Sequence, residues 1–275
     1  MASCPNATGQ RNRGLKLPIY YVDAFAENLF QGNPAAVVTL TDRLETKTMQ
    51  SIAFENNLSE TAFVSVRSMP FSIQWFSPVV EVDLCGHATL ASARILFDNH
   101  LPADASQVNF SAKRGALRAF KKDGLIYLDF PAEEPSVNEQ SVALARALGA
   151  EPVELYKGQD DFLAIFANEA AIRAIQPDFG LIATLDCRGV IVTAPGDQVD
   201  FVSRFFAPRT GVPEDPVTGS THTLMVPYWA GQTGKTELAA AQLSQRGGRL
   251  YCELRGSRVF IGGHTKKYLQ GEISV

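Results

Sequence analysis

Hydrophobic positions along the chain fall mostly into short runs of strand length, which are separated by turn residues and by two longer apolar stretches. The longer stretches, residues 87–98 and 221–230, have small or apolar residues on nearly every side, which predicts helices that are buried all round. Strands that follow one another without long helices between them disfavour a doubly wound parallel sheet and favour an α+β fold. Strands are predicted at 19–24, 35–40, 71–76, 108–110, 116–121, 125–130, 163–166, 190–193, 201–206, 250–254, 258–261 and 271–275, and further helices at 46–56, 140–148 and 170–175. Residues 58–64 contain a polar step that leads directly into a further apolar strand.

The order of elements around the first long apolar stretch is repeated around the second. Residues 76–78 read F-S-P and 86–90 read G-H-A-T-L, and they correspond to F-A-P at 206–208 and G-S-T-H-T-L at 219–224. An Arg-Gly pair then leads each copy into further strand-like sequence. The duplication predicts two pseudo-symmetric domains, each a mostly antiparallel or mixed, barrel-like sheet wrapped around one central buried helix. Its period is far too long for a solenoid.

The domain limits follow from the composition of the connecting segments. Residues 131–135 are rich in proline and acid and are the best candidate for a linker. We expect an N-terminal half over residues 17–130, joined by the C-terminal strand 268–275, and a C-terminal half over residues 131–267. Residues 1–16 are polar, lack the apolar segment of a secretory signal, and are expected to form a disordered tail.

Composition and charge exclude several classes of function. The chain has 275 residues, is 45% hydrophobic and 20% charged, and carries a net charge of −4 without any run rich in lysine or arginine, so a nucleic-acid-binding surface is not expected. No apolar stretch reaches the roughly 18–20 residues that cross a bilayer. The four cysteines show no CxxC spacing, so neither a metal site nor a disulfide framework is indicated. We expect a cytoplasmic protein that binds no metal, nucleic acid or membrane.

The second copy places two carboxylates close to a helix start. Glu214 and Asp215 lie in a proline-rich loop that ends at Gly219 and Ser220, directly before the apolar stretch. The first N–H groups of a helix have no partner within it, and with the positive end of the helix dipole they bind anions. A carboxylate beside such a site can move protons on the bound anion.

Each candidate residue also has a purely structural interpretation. Glu60 could be a solvated loop glutamate or a backbone cap, and Asp215 could be the aspartate of a turn. His87 could be hydrogen-bonded to backbone at the helix start, Ser220 could be an N-cap, and Cys85 could be a small buried hydrophobic residue. The functional interpretation gains weight because His87 and Cys85 in one copy, and Asp215 and Ser220 in the other, occupy matching places.

Four separated motifs carry a family resemblance. They read G-N-P-A-A-V at 32–37, N-L-S-E-T-A-F-V at 57–64, D-L-C-G-H-A-T-L-A at 83–91 and E-D-P-V-T-G-S-T-H at 214–222. In this order they resemble the PhzF-like family, named for the isomerase of phenazine biosynthesis, from about residue 17 to the C-terminus. The resemblance implies a fold like that of diaminopimelate epimerase, an active site between two pseudo-symmetric halves, and no cofactor. It also makes a homodimer plausible.

The resemblance implies roles for seven residues. Three match the family's acid/base positions, the first of them its catalytic glutamate: Glu60, His87 and Asp215. Three match groups at the helix ends that hold the substrate's carboxylate, and one matches a substrate contact: Gly86, Gly219, Ser220 and Asn33. Enzymes like diaminopimelate epimerase use two opposed cysteines instead. Cys85 lies near the place of the first, but the second region offers Asp215 and no cysteine, so a two-thiol racemase is disfavoured.

The function that the resemblance implies is isomerisation of a small carboxylated substrate by acid/base catalysis. Glu60, with a pKa raised towards neutrality by partial burial, is expected to remove a C–H proton and return it elsewhere on the same face, with Asp215 and His87 supplying or relaying a second proton. Two alternatives stay open. One is an amino-acid epimerase or racemase of the same fold, and the other is a ligand-binding or scaffold protein without turnover. Candidate specificity residues lie around Gln74 and in the segment 156–165.

Overall fold

The computed structural model describes residues 14–139 and 141–275. Residues 1–13 of the predicted tail, and Gln140 at the start of a predicted helix, lie outside these ranges. Leu15 already exchanges backbone hydrogen bonds with Val275, and the first strand begins at Lys16. Regular structure therefore begins inside the segment 1–16.

The first half of the chain forms a mixed sheet around a long helix. Its elements are β1 (Lys16–Ala24), β2 (Asn33–Leu40), α1 (Thr46–Asn56), β3 (Glu60–Ser65), β4 (Phe71–Phe76), β5 (Glu81–Val82), α2 (Gly86–Asn99), β6 (Gln107–Ala112), β7 (Gly115–Lys122) and β8 (Leu125–Pro131). The strands pair in the order β1-β2-β3-β4-β6-β7-β8. The pairs β2–β3 and β4–β6 are parallel, and the other pairs in this series are antiparallel.

The second half repeats this arrangement. Its elements are β9 (Ser136–Val137), α3 (Val142–Leu148), β10 (Glu154–Lys157), β11 (Asp161–Ile165), α4 (Glu169–Ala174), α5 (Phe179–Ile182), β12 (Gly189–Pro195), β13 (Phe201–Phe206), a 3-10 turn (Pro208–Thr210), α6 (His222–Thr233), β14 (Glu237–Gln242), β15 (Gly248–Arg255), β16 (Arg258–Gly263) and β17 (Thr265–Ser274). The order is β10-β11-β12-β13-β14-β15-β16, again with parallel second and fourth pairs, β11–β12 and β13–β14.

Three further pairings complete the two halves and join them. Strand β17 pairs with β1 along its length, and the short strand β9 occupies the corresponding place on β10. The antiparallel pair β8–β16 links both halves into one sheet. The strand order therefore confirms the predicted fold class, an α+β protein of two pseudo-symmetric halves, each a mixed sheet around a central helix. The predicted domain limits stay a prediction.

Helices α2 and α6 occupy the same place in the two halves and form the centre of each. Eleven residues of α2 are buried, and small side chains such as Ala88, Ala91 and Ser92 let the strands pack closely around it. In α6 the ring of Trp229 stacks on Phe201 of β13. Because both helices bury nearly all sides, only their ends can reach a surface.

Helix α6 begins later than the sequence predicts. The pattern places its start at Gly219 and Ser220, but the helix begins at His222, with Thr221 in the N-cap position. The preceding residues form a tight turn, in which the His222 N–H donates to the Gly219 carbonyl at 3.1 Å and the Thr223 N–H donates to the Ser220 carbonyl at 3.2 Å. Ser220 is therefore a residue of this turn and not the N-cap.

Pro227 lies inside α6, and the helix continues through it. Proline has no N–H, so the carbonyl of Thr223, four residues earlier, loses its helical donor. The backbone N–H of Glu133 donates to this carbonyl at 3.0 Å. The segment that follows β8 is thereby tied to the start of α6.

The sequence does not predict the strands β5, β9, β10 and β14. Strand β14 shows the reason, since its sequence E-L-A-A-A-Q lacks the β-branched and aromatic residues that favour strands. Its extended form depends on pairing with β13 and β15. Among the described residues, no helix is both long and apolar enough to cross a membrane.

Phe25 packs where the two halves meet. It follows β1, is fully buried, and has a φ of 58°, a left-handed conformation that is costly for a residue with a side chain. The Arg249 N–H donates to its carbonyl at 3.2 Å. Its ring lies against Gly219 and Gly263, both from the second half. These glycines let a side chain of the first half enter the second.

Replacing Gly263 by alanine tests this packing. The added Cβ would lie 2.5 Å from Phe25 Cδ1, so the buried ring has to move. We expect the free energy of unfolding to fall by about 1–3 kcal/mol in urea denaturation. Gly231→Ala is the matched control, because a methyl group there meets nothing within 4 Å and favours helix, so stability should stay level or rise. A Gly263→Ala protein as stable as the parent would contradict the close packing.

Candidate active site

A cleft of about 610 Å³ lies where α2 and α6 begin, and both halves form its walls. Its lining includes the first residue of β3, the start of α2, the end of β8, the loop before β11 and the loop between β13 and α6. Six of the seven residues predicted from the sequence line it: Glu60, Gly86, His87, Asp215, Gly219 and Ser220. Residues 159–161 of the predicted specificity segment line it as well. Gln74 instead donates to Glu81 at 3.1 Å and is not part of the lining.

The start of α2 and the turn that precedes α6 approach each other closely at glycine. A Cβ added to Gly86 would lie 3.4 Å from the Gly219 Cα and 3.5 Å from the Ser220 nitrogen, so no side chain lies between the two backbones. No acceptor among the described residues bonds to the backbone N–H groups of Gly86, His87, Gly219, Ser220 or Thr221. All five residues line the cleft. Unpaired N–H groups gathered at the start of α2 and in the turn before α6 form a site suited to an anion such as a carboxylate.

Glu60, Cys85 and His87 form a compact buried group on the first-half wall. Glu60 Oε2 lies 3.2 Å from His87 Nε2, and Cys85 Sγ lies 3.5 Å from His87 Nδ1. The three side chains also offer ligand atoms within 4.8 Å of one another, a donor set that a metal ion could use. The prediction of no metal therefore stays a prediction.

Asp215 is held on the second-half wall by side chains and backbone. Thr218 Oγ1 and Asn33 Nδ2 donate to its two carboxylate oxygens, the latter at 2.9 Å. The Asp215 N–H donates to the Phe205 carbonyl at 3.0 Å, and Gln242 Nε2 donates to the Asp215 carbonyl at 2.8 Å. These contacts point one carboxylate into the cleft. The neighbouring Glu214 takes another direction and forms an ion pair with Arg204 at 2.7 Å.

Asn33 lies behind Asp215 and is fully buried. Its amide donates to Asp215 and, at 2.9 Å, to the Val217 carbonyl. It does not belong to the cleft lining. The contact with a substrate that the sequence predicts for Asn33 stays a prediction, and the contact that the structure shows is support of the Asp215 carboxylate.

The two carboxyl groups have different pKa values. Burial, together with the negative charge of Asp215, raises the pKa of Glu60 to about 8, and a hydrogen bond with Cys85 opposes this rise. Burial raises the pKa of Asp215 to about 6, while hydrogen bonds from Thr218 and Asn33 and the charge of Arg188 act in the opposite direction. At neutral pH the ligand-free pair therefore keeps one proton, mostly on Glu60.

The neighbouring groups are neutral. Burial lowers the pKa of His87 to about 3, so its imidazole is uncharged at pH 7. Burial, and then the charge of Glu60, raises the pKa of the Cys85 thiol well above its ordinary value. Cys85 therefore stays a thiol and does not resemble an activated base.

Arg188 and Asp161 belong to the cleft; from the sequence, Asp161 is predicted only as part of the segment 156–165, and Arg188 is not predicted. Arg188 directly precedes β12, and Asp161 is the first residue of β11. Arg188 Nε and Nη2 donate to the two oxygens of Asp161, the former at 2.9 Å. Their separation of 27 residues in the chain leaves no local motif, and only the parallel pairing of β11 with β12 brings them together.

With this geometry established, a family model described as PhzC-PhzF, phenazine biosynthesis-like protein, matches residues 22–271, which is most of the chain. The chain belongs to this PhzF family. The resemblance indicated by the four motifs is thereby confirmed. The match spans both halves of the fold, and with them both walls of the cleft.

Relatives extend over the same length. An uncharacterized isomerase of Pseudomonas aeruginosa is 49% identical over 259 residues, which cover 94% of this chain and 99% of the relative. The human phenazine biosynthesis-like domain-containing protein is 38% identical over 288 residues, which cover 94% of this chain and 100% of the relative. The alignments therefore extend over nearly the whole of this PhzF-family chain.

Solved structures confirm the fold class. The crystal structure of a PhzF family protein from Enterococcus faecalis has a TM-score of 0.91 at 44% identity and covers 95% of this chain and 100% of its own. A probable proline racemase from Agrobacterium radiobacter has a TM-score of 0.66 at 10% identity and covers 94% of this chain and 93% of its own. The second similarity concerns the fold alone, and it places the PhzF architecture beside that of racemases.

The coupling between Glu60 and Asp215 can be measured without a substrate. We expect carbon-13 NMR of the Glu60 side-chain carboxyl to show a midpoint near pH 8, and Asp215→Asn to lower it because one of the two causes of the rise is removed. Asp83→Asn removes a carboxylate elsewhere in the cleft, which is ion-paired with Lys113 at 2.7 Å, and should leave the midpoint in place. An unchanged midpoint in Asp215→Asn would show that the two groups do not interact.

The raised pKa of Glu60 also predicts how stability depends on pH. Between about pH 4.5 and pH 8 the folded protein keeps a proton that the unfolded chain loses, so this group destabilises the fold as pH rises through that window. We therefore expect the free energy of unfolding, measured by urea denaturation, to be roughly 1–4 kcal/mol higher for Glu60→Gln than for the parent above pH 8. At about pH 4 the two proteins should be equally stable. Glu81→Gln, outside the cleft, is the control and should track the parent. Equal stabilities of Glu60→Gln and parent at alkaline pH would refute the costly burial of Glu60.

Proposed function

We propose that this PhzF-family protein is a cofactor-independent isomerase that moves a proton on a small carboxylated substrate. One observation carries the proposal: one cleft brings two carboxyl groups of different pKa together with unpaired backbone N–H groups from the start of α2 and from the turn before α6. The names of several relatives, which include the word isomerase, support the same reaction class.

Binding of the substrate would use the helix starts. Its carboxylate would accept hydrogen bonds from the N–H groups around Gly86 and Gly219, where the positive ends of both helix dipoles meet. Charge that spreads towards the carboxylate when a neighbouring C–H bond is broken is stabilised by the same donors. These donors are held by the fold before the reaction starts, so their reorganisation costs little.

The proton would be moved by Glu60. Its carboxylate takes a C–H proton next to an unsaturated or carbonyl group, and the electron pair of that bond delocalises over the substrate. Glu60 then returns the proton to another carbon on the same face while the double bond shifts, so no proton or electron is gained or lost overall. His87, 3.2 Å from Glu60 and uncharged, orients the carboxyl group, and burial together with the charge of Asp215 raises the pKa of Glu60.

Two alternatives differ from this reaction in a measurable way. In an epimerase or racemase the proton returns to the same carbon from the opposite face. Glu60 and Asp215 belong to different halves of the fold, and this observation is what favours that alternative. In a non-catalytic binding protein the cleft would take up a ligand and leave it unchanged.

A metabolite mixture in heavy water tests the proposal. We expect the parent to convert one carboxylated compound into an isomer that carries solvent deuterium, because the Glu60 carboxyl group exchanges its proton with water. Glu60→Gln should slow this conversion by about 10²–10⁴-fold. The rate of the parent should rise with pH towards about pH 8, as Glu60 loses its proton. The measurement is mass spectrometry of substrate and product over time.

Two variants separate the possible outcomes. Cys85→Ser should keep most of the activity, because the thiol is not ionised, and a large loss would point to thiol chemistry instead. Glu81→Gln makes the same chemical change as Glu60→Gln outside the cleft and should behave like the parent. Deuterium at a single stereocentre together with racemisation would establish the epimerase. A ligand that binds both parent and Glu60→Gln but is never converted would overturn the isomerase.

A further inference from the structure

Arg188 presents an open hydrogen-bonding edge to the cleft. Its Nε and Nη2 atoms donate to Asp161, which occupies one side of the planar guanidinium. Its Nη1 atom lies 3.3 Å from Ser220 Oγ. A guanidinium has five N–H donors, and two of them, one on each terminal nitrogen, have no partner among the described residues. Asp161 occupies the edge formed by Nε and Nη2, so the end-on edge between the two terminal nitrogens faces away from it, and each of these nitrogens keeps one donor for a carboxylate oxygen.

The position of this edge is set by rigid contacts. The Arg188 guanidinium lies 5.3 Å from the centre of the Phe205 ring, on whose face it packs. Asp161 is buried and leads β11, so the ion pair is anchored in the sheet. The arginine is therefore oriented before any ligand arrives, which lowers the entropic cost of binding.

The charges of the cleft make this arginine distinctive. Six carboxyl groups line the cleft: Glu60, Asp83, Glu133, Asp160, Asp161 and Asp215. Within the described lining, arginine and lysine are represented by Arg114 and Arg188 alone. The Arg114 side chain is 55% exposed and lies 3.6 Å from Asp83, whereas that of Arg188 is 34% exposed and lies beside the helix starts. An anion in this acidic cleft therefore has one well-placed cation.

The two halves differ at the position from which Arg188 projects. Thr61 pairs with Phe76 in the first half, and Val190 pairs with Phe206 in the second, so Glu60 and Gly189 hold equivalent positions. A Cβ on Gly189 would lie 2.5 Å from the Phe205 ring, so no side chain fits there. At this position of the duplicated scaffold, the first half therefore carries the acid Glu60. The second half carries the cation Arg188 one residue before the equivalent Gly189.

From these observations we infer that Arg188, held by Asp161, binds the substrate's carboxylate through its end-on edge, next to Ser220. The orientation of a reacting substrate rests on the proposed function, whereas binding of a carboxylate at Arg188 does not depend on it. It orients the substrate, with the carboxylate at the second-half wall and the reacting C–H group towards Glu60 on the first-half wall. The substrate is therefore expected to be a carboxylate whose reacting C–H group can reach Glu60 while its carboxylate group is bound at Arg188.

The test compares benzoate with benzamide, which have the same shape and differ in charge. The full-length protein is titrated with each at about pH 7.5, where benzoate is ionised, and binding is followed by the NMR signals of the Gly219 and Ser220 amides. We expect the parent to prefer benzoate by about tenfold or more and Arg188→Gln to lose most of this preference, because only the backbone N–H groups then remain to bind the carboxylate. Arg114→Gln removes the same charge from the opposite wall and should keep it.

Further variants make each outcome decisive. Arg188→Lys keeps the charge without the planar edge and should reduce the preference at least about threefold, which preserves the test if Arg188→Gln fails to fold. Glu60→Gln should keep the full preference, so that failure of the isomerase reaction and failure of this inference are distinguishable. Undiminished preference in a folded Arg188→Gln or Arg188→Lys protein, or no preference in the parent, overturns the inference.

Discussion

The close approach of two helix starts is the constraint on which the structure depends. Gly86 and Gly219 face each other so closely that a Cβ on Gly86 would lie 3.4 Å from the Gly219 Cα, and a Cβ on Gly219 would lie 3.3 Å from Phe25 Cζ and press on that ring. Because α2 and α6 are buried on nearly all other sides, their ends are the places where unpaired N–H groups can gather. The sheets, the join through β8 and β16, and the packing of Phe25 all hold this contact in place.

The contact has an electrostatic consequence. It brings Glu60 and Asp215, one from each half, into a buried region where both cannot be ionised without cost. The protein separates them by hydrogen bonding, since Asn33 and Thr218 donate to Asp215 and favour its charged form. Duplication therefore supplies similar scaffolds, and a few local donors make the two walls chemically different. Such separation of pKa values is typical of sites that move protons.

Much of the fold and of the site could be predicted because the signals are local. Short apolar runs predict most strands, and the repeated F-x-P and Gly-rich segments predict the duplication. Glu60, His87 and Asp215 lie in three of the four motifs that carry the family resemblance. Strand β14 could not be predicted, because its alanines do not favour a strand. The first residue of α6 could not be predicted either, because the residues 219–221 are compatible both with a tight turn and with the first turn of a helix. The ion pair of Arg188 and Asp161 could not be predicted, because the two residues come together only through the pairing of β11 with β12, and neither segment contains a local motif that indicates it.

The sequence by itself indicated the family, the two-part architecture and, among seven candidate residues, the six that line the cleft. It could do so because short contiguous motifs, and the repetition of such motifs, carry this information. The tertiary structure alone decided how those segments meet. It placed Asn33 behind Asp215 instead of in the cleft, turned Glu214 towards Arg204, and set Arg188 beside Ser220. The physical reason is that burial, pKa and the direction of a hydrogen bond depend on neighbours distant in the chain, and these exist only once the two halves are folded together.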